Sequence, residues 1–299
     1  MWLALAFISA ILLGSYEVFK KVSLHENAVI PVLLVSVLFS CLTLSPFYLI
    51  STFSPETLKG TIFFVPQVDF HAHIQFIIKA VIVLTSWIFA YFALKHLPLS
   101  LASPIKATQP VWTVVGAMLI FGERLNIYQS AGVGVTLISF YLFSIAGKKE
   151  GISFRTNKWF WFIVVATLTG AISGLYDKYL MNKYDAMSVQ VYYTFYQAVI
   201  MGVITLFLWA PTRHKTTPFQ FKWAIFWIST FLVTADFVYF YALSLPGSMI
   251  SVVSTIRRSG VIVPFLYGAI ALKDKNIKLK VIDLIGVLIG MYLLYLGSK

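Results

Sequence analysis

Long apolar stretches recur from one end of the chain to the other, with short polar clusters between them. About 20 apolar residues cross roughly 30 Å of hydrocarbon as a helix, and ten stretches reach that length. They cover about residues 2–20, 28–52, 73–95, 99–121, 127–146, 158–181, 187–210, 223–245, 247–271 and 280–297. The pattern predicts an all-α integral membrane protein of about ten transmembrane helices.

Prolines interrupt three of these stretches. Pro31 and Pro46 fall in the second, Pro104 and Pro110 in the fourth, and Pro264 in the ninth. Inside a membrane, the backbone groups that a proline frees must be satisfied by neighbouring helices or by a water-filled cavity. The fourth and ninth helices are therefore expected to line a pathway.

Composition agrees with a chain that has lipid as its solvent. Hydrophobic residues make up 59% of the 299 residues and charged residues 11%, against roughly 45–50% and 25% in soluble domains. The net charge is +12, but the basic residues lie at helix ends and in short loops, which favours membrane lipids over nucleic acid as partners. The first stretch has no basic leader, so it is predicted to be retained, in a multi-pass protein of the bacterial cytoplasmic membrane.

The two halves of the chain resemble each other. Residues 91–94 read Tyr-Phe-Ala-Leu and residues 239–243 read Tyr-Phe-Tyr-Ala-Leu, and a Leu-Pro-x-Ser segment follows each. We expect two five-helix repeats, 1–147 and 158–299, joined by a linker at 148–157. Because five is odd, the second repeat enters the membrane inverted, which favours a central site that is reached alternately from either side.

One segment resembles a known family. Gln109-Pro110-Val111 leads through Gly116 to Phe-Gly-Glu-Arg-Leu at 121–125, then to Gln129 and Gly132. This pattern is similar to ten-helix members of the drug/metabolite transporter superfamily built of two EamA-like halves; the second copy is looser, with Lys-Asp-Lys at 273–275. The resemblance implies a transporter without a cofactor and not an enzyme, and no catalytic motif stands out in the sequence.

Substrate stays open, because the superfamily includes exporters of amino acids and metabolites, sugar-phosphate exchangers and nucleotide-sugar carriers.

Three cations fall inside the helices expected to line the pathway. Arg257 and Arg258 lie near the middle of the ninth and Lys106 within the fourth. A charge there costs about 2.5–3.5 kcal/mol, so these residues must face protein or water. In the sugar-phosphate and nucleotide-sugar branch, a similar basic pair and lysine bind phosphate. The resemblance thus implies a small anionic or zwitterionic metabolite as substrate.

Other residues complete the predicted site. Asp236, in the eighth helix, is either the counter-ion of a structural arginine or a proton-coupling group. Gln109, Trp112, Tyr193 and Tyr239 are expected to contribute to the pocket. His71 and His73 lie in a predicted loop with only Asp69 nearby, and no metal site is predicted.

Glu17 and Asp177 occupy matching places in the two repeats, after Tyr16 and Tyr176, with lysines such as Lys178 close by. They are expected near helix ends, either as interfacial ion pairs or as gate salt bridges that break and re-form during transport.

The leading hypothesis is a secondary transporter, monomeric or homodimeric, that works by alternating access with a coupling ion or counter-substrate. One alternative is an exporter of neutral amino acids with structural arginines. Another is a lipid-handling subunit or enzyme scaffold, which predicts a lipid-facing opening.

Orientation is left open by the charges. Most basic residues, including Lys20 and Lys21, are counted in loops on the side away from the termini. By the positive-inside rule that side is cytoplasmic, whereas relatives generally have cytoplasmic termini.

Overall fold

The computed structural model describes residues 1–121, 126–149, 156–248, 250–272 and 277–297, and these are helical apart from short connections. Twelve α-helices lie in the described ranges: α1 (Trp2–Leu24), α2 (Val29–Phe53), α3 (Phe70–His96), α4 (Leu99–Ala107), α5 (Gln109–Phe121), α6 (Ile127–Lys149), α7 (Lys158–Met181), α8 (Ala186–Ile204), α9 (Trp223–Ser244), α10 (Ile250–Ser259), α11 (Ile262–Ile270) and α12 (Ile277–Gly297). A π-helical turn (Thr205–Trp209) and a 3-10 turn (Ala210–Lys215) extend α8.

The predicted all-α membrane class is confirmed. Within the described residues, six helices are long and apolar enough to cross a membrane: α1, α2, α3, α7, α8 with its extension, and α9. The fourth and ninth predicted helices are each divided in two, so the count of ten spans stays a prediction. The expected linker at 148–157 begins inside α6, and its residues 150–155 lie outside the described ranges.

The two divided helices break near their middles. α4 ends before Thr108 and α5 begins at Gln109, while α10 ends at Ser259 and α11 begins at Ile262. Pro110 and Pro264 both lie in the first turn of the second segment, where a missing N–H costs no helical hydrogen bond. Each break therefore places backbone N–H and C=O groups outside a regular helix near the centre of the membrane.

The second predicted helix is continuous despite its two prolines. α2 runs unbroken from Val29 to Phe53 with Pro46 inside it. Pro31 lies in its first turn, where proline is tolerated. Pro46 leaves the carbonyl of Leu42 without its helical donor, and the hydroxyl of Ser45 donates to that carbonyl at 3.0 Å. The side chain thus replaces the backbone bond that proline removes.

Helices from the two halves pack against each other in matching pairs. α1 packs against α9 and α3 against α7, while α2 packs against α8 and α6 against α12. Two inverted repeats related by a two-fold axis in the membrane plane would pair in this way. The division into repeats remains a proposal that this pairing supports.

Glycines lie where the helix backbones come closest to each other. A Cβ at Gly286 or Gly290 of α12 would collide with Ser139 or Thr136 of α6. A Cβ at Gly260, between α10 and α11, would overlap the backbone carbonyl of Ala10 in α1. Small residues are what permit helix backbones to approach closely in membranes.

Gly260→Ala is therefore expected to lower the thermal unfolding midpoint of the purified protein by several degrees, because overpacking costs about 1–3 kcal/mol. Gly202→Ala is the matched control, since Gly202 lies in α8 with no atom near its missing Cβ. Equal midpoints for the two variants would contradict the close approach of α1 to the break.

Candidate functional site: a charged cavity at mid-membrane

A cavity of about 80 Å³ lies where the middles of the long helices meet the two helix breaks. Residues of α1, α3, α7, α8 and α9 line it, together with residues beside the α4–α5 and α10–α11 breaks. Its charged lining comprises Glu17, Lys79, Lys106, Asp177, Asp236, Arg257 and Arg258. Seven charged side chains thus converge on a space that holds a few water molecules.

The first ion cluster is centred on Glu17 of α1. One carboxylate oxygen accepts from Lys106 of α4, and the other forms a 2.6 Å ion pair with Lys20 one turn along α1. Lys20 is fully buried, with its ammonium 4.4 Å from the ring centre of Tyr16 and 5.1 Å from that of Tyr91. Glu17 therefore has two cations, one of them held between aromatic rings.

The second ion cluster joins α3 to α7. Lys79 forms an ion pair with Asp177 and donates to the hydroxyl of Ser173 at 2.6 Å. The hydroxyl of Tyr239 donates to Asp177 at 3.3 Å. Both charged side chains of the pair are more than nine-tenths buried, so each depends on the other for its stability in the membrane.

The third ion cluster joins α9 to α10. Arg257 forms an ion pair with Asp236, and the hydroxyl of Tyr193 donates to the same carboxylate at 3.1 Å. The guanidinium carbon of Arg257 lies 4.1 Å from the ring centre of Tyr239. Because Tyr239 also bonds to Asp177, this tyrosine connects the second and third clusters.

Arg258 differs from the other cations. It lines the cavity, and among the described residues it has no carboxylate partner and no hydrogen bond. A smaller space of about 30 Å³ adjoins it, lined also by Lys106 and Glu17. Arg258 and Lys106 therefore face the same two spaces.

The structure brings together most of the predicted site residues. Arg257, Arg258, Lys106, Asp236, Gln109, Tyr193, Tyr239, Tyr16, Glu17 and Asp177 all line the cavity. Trp112 is not among the lining residues and is 36% exposed, because the interior face of α5 runs through buried Gln109 and Thr113.

The remaining predicted residues also lie outside the cavity. The hydroxyl of Tyr176 donates to the carbonyl of Gln75 at 3.4 Å, and Lys178 donates to the carbonyl of Ser248 at 2.9 Å.

Two expectations about charge position are wrong. Glu17 and Asp177 are not interfacial, since both are buried in the cavity wall. Lys20 is not a loop cation, since it is buried inside α1, which extends to Leu24. Their burial has a physical reason, because each of these side chains has an oppositely charged partner that removes the need for water.

Lys79 was missed by sequence reasoning, although a signal was present. It lies inside the third apolar stretch, and the rule that an intramembrane charge marks a functional position applies to it as to Arg257. Within the described parts of the chain, no three His, Cys, Asp or Glu side chains come together as metal ligands would.

Two layers of buried side chains in α3, α7 and α9 lie on either side of the level of the cavity. Toward the termini lie Phe76, Leu180 and Phe240; toward the other face lie Tyr91, Ile163 and Ile228. Each of the helices α3, α7 and α9 contributes one residue to either layer.

A charged cavity among helices of membrane-spanning length is the arrangement expected of a membrane transporter, and sequence comparison points to the same class. The EamA-like transporter family matches residues 1–145. This match places the chain in the drug/metabolite transporter superfamily, whose EamA members are membrane transporters.

A solved structure, described only as a crystal structure of a protein, shares the fold. It aligns over 98% of this chain and 96% of its own, with a TM-score of 0.67 and 14% sequence identity. No curated protein matches the chain.

Proposed function

We propose that this protein is a secondary transporter that carries a small organic anion by alternating access. The observation that carries the proposal is the charge balance of the site. Among the described residues the cavity and its first neighbours hold five cations, Lys20, Lys79, Lys106, Arg257 and Arg258, and three carboxylates, Glu17, Asp177 and Asp236. Five minus three leaves a formal charge of +2 near the middle of the membrane.

An uncompensated charge at this depth is costly, and a bound dianion would compensate it. Phosphate monoesters and dicarboxylates carry up to two negative charges and offer the planar oxygen pairs that a guanidinium binds with two hydrogen bonds. A zwitterion would leave the surplus charge in place. The balance therefore favours an anion over a neutral amino acid.

Arg258 and Lys106 are the residues best suited to contact the anion. Arg258 has no carboxylate partner among the described residues. Lys106 shares Glu17 with Lys20, so it can turn toward a substrate while Lys20, 2.6 Å from Glu17, keeps that carboxylate neutralised. In contrast, Asp177 and Asp236 have one cation each. The proposed subsite lies between Arg258 and Lys106.

The size of the cavity supports alternating access. Pockets for drug-sized ligands occupy about 300–1,000 Å³, whereas this cavity measures about 80 Å³. An organic phosphate would require the two halves to separate on one face, which is the motion expected of paired inverted repeats.

The test is counterflow in proteoliposomes. Vesicles loaded with an unlabelled organic phosphate or dicarboxylate are expected to accumulate the same compound in labelled form. Vesicles loaded with a neutral amino acid are not expected to accumulate the labelled anion. Accumulation of neutral amino acids alone would overturn the anion assignment.

That outcome would favour an exporter with structural arginines, for which the pairing of Arg257 with Asp236 is the supporting observation. In that case Arg258 would also have a structural role.

A further inference from the structure

A groove between α1 and α11 lies on the outer surface of the helix bundle, apart from the central cavity. It measures about 440 Å³, and its walls are almost entirely apolar, with Val18 and Phe19 on α1 facing Val263, Leu266 and Ile270 on α11. None of its lining residues lines the central cavity. The groove begins near the middle of α1 and follows about two turns of α11, from Val263 to Ile270, which is roughly 10 Å.

The groove continues into a larger pocket of about 610 Å³ at the ends of the helices away from the termini. Tyr267 lines both spaces. In the second pocket the walls carry Lys21, Lys95 and Lys222, with Glu26 as the single acid among the described lining residues. The combined space is apolar at membrane depth and basic where the helices leave the membrane.

The ammonium groups of Lys95 and Lys222 are held by neutral acceptors. Lys95 donates to the carbonyl of Asn27 at 2.9 Å and to the hydroxyl of Thr217 at 2.7 Å. Lys222 donates to the carbonyl of His25 at 2.5 Å. Carbonyl and hydroxyl oxygens hold these lysines in place without cancelling their charge. Among the described residues, neither Lys95 nor Lys222 has a carboxylate within ion-pair distance.

We propose that this space binds an anionic phospholipid, with an acyl chain in the α1–α11 groove and the phosphate headgroup among Lys21, Lys95 and Lys222. Charge complementarity and depth together support this occupant, because basic pockets between transmembrane helices at a membrane face bind anionic headgroups. The apolar half of the space would gain nothing from a free anion, so the lipid is favoured over a soluble phosphate compound.

The experiment is a lipid titration of the full-length, detergent-purified protein, read by native mass spectrometry. Phosphatidylglycerol is expected to bind with measurable affinity and phosphatidylcholine of the same chain length at least fivefold more weakly. Lys222→Gln is expected to weaken phosphatidylglycerol binding roughly fivefold, since one interfacial lysine contributes about that factor. Ala271→Trp, which fills the apolar groove, is expected to weaken both lipids.

Matched controls separate the site from general effects. Lys215→Gln removes an exposed lysine that does not line the pocket, and Val199→Trp adds an indole to an exposed position on α8. Both controls are expected to bind like the wild type, and Lys222→Arg is expected to retain binding.

Equal affinity for the two lipids, or equal weakening by Lys222→Gln and Lys215→Gln, would overturn the proposal. The proposal would also be overturned if millimolar inorganic phosphate displaced phosphatidylglycerol completely. That result would indicate a site that binds an anion and does not require a lipid.

Discussion

Uptake of an organic phosphate or dicarboxylate into proteoliposomes is expected to fall about 30-fold or more when Arg258 is replaced by glutamine. Removing one partner of a buried charge-assisted contact costs about 2–5 kcal/mol, and each 1.4 kcal/mol is a factor of ten. Because Arg258 has no carboxylate or hydrogen-bond partner among the described residues, the variant is expected to unfold at nearly the wild-type temperature. Loss of transport with an intact fold is the signature of a substrate contact.

Two further variants make this prediction specific. Arg258→Lys keeps the charge but loses the planar fork, so uptake is expected to fall between the wild type and Arg258→Gln. Arg213→Gln removes an exposed arginine outside the cavity and is expected to leave uptake unchanged. Wild-type uptake and half-saturation in Arg258→Gln would show that Arg258 does not bind the substrate.

The largest loss of stability is expected from Lys79→Met. This change leaves the buried carboxylate of Asp177 without its cation, and breaking a buried ion pair on one side costs about 3–5 kcal/mol. Thermal unfolding of the purified variant is expected to shift down by about 10 °C. The double variant Lys79→Met/Asp177→Leu removes both charges and is expected to recover most of that loss.

Lys106→Met is the comparison within the same cavity. Glu17 keeps its 2.6 Å ion pair with Lys20 when Lys106 is lost, so the midpoint is expected to fall by much less than in Lys79→Met. Equal losses in Lys79→Met and Lys106→Met would show that Lys20 does not keep Glu17 neutralised. No recovery in the double variant would show that the loss in Lys79→Met does not come from an unpaired Asp177.

Helix positions could be predicted from the sequence because membrane-spanning length and hydropathy determine them. The local rescue in α2 could not, since it depends on the hydroxyl of Ser45 reaching the carbonyl of Leu42 beside Pro46.

The rotation of each helix was harder to predict than its position. A helix that is apolar on all faces gives no amphipathic signal for the side that faces the interior. Trp112 and Thr113 are neighbours about 100° apart, and only Thr113 is buried. Charged residues carry more information, because lipid excludes them, and this is why Arg257 and Asp236 were correctly expected inside the bundle.

The sequence does not determine which acidic residue of the cavity pairs with which basic residue. Asp236 was an expected counter-ion for an arginine, and the structure pairs it with Arg257. The pairing of Asp177 with Lys79 joins residues 98 positions apart. No local spacing indicates such a contact, since it depends on the packing of α3 against α7.

The contact between α6 and α12 has a consequence for how this protein can change over evolution. These helices pack against each other through Gly286 and Gly290, and none of their described side chains lines the central cavity. Mutations that alter the cavity would therefore accumulate on the other helices, while changes in α6 and α12 are limited by their close packing. A new specificity can then arise without disturbing the pair formed by the last helix of each half.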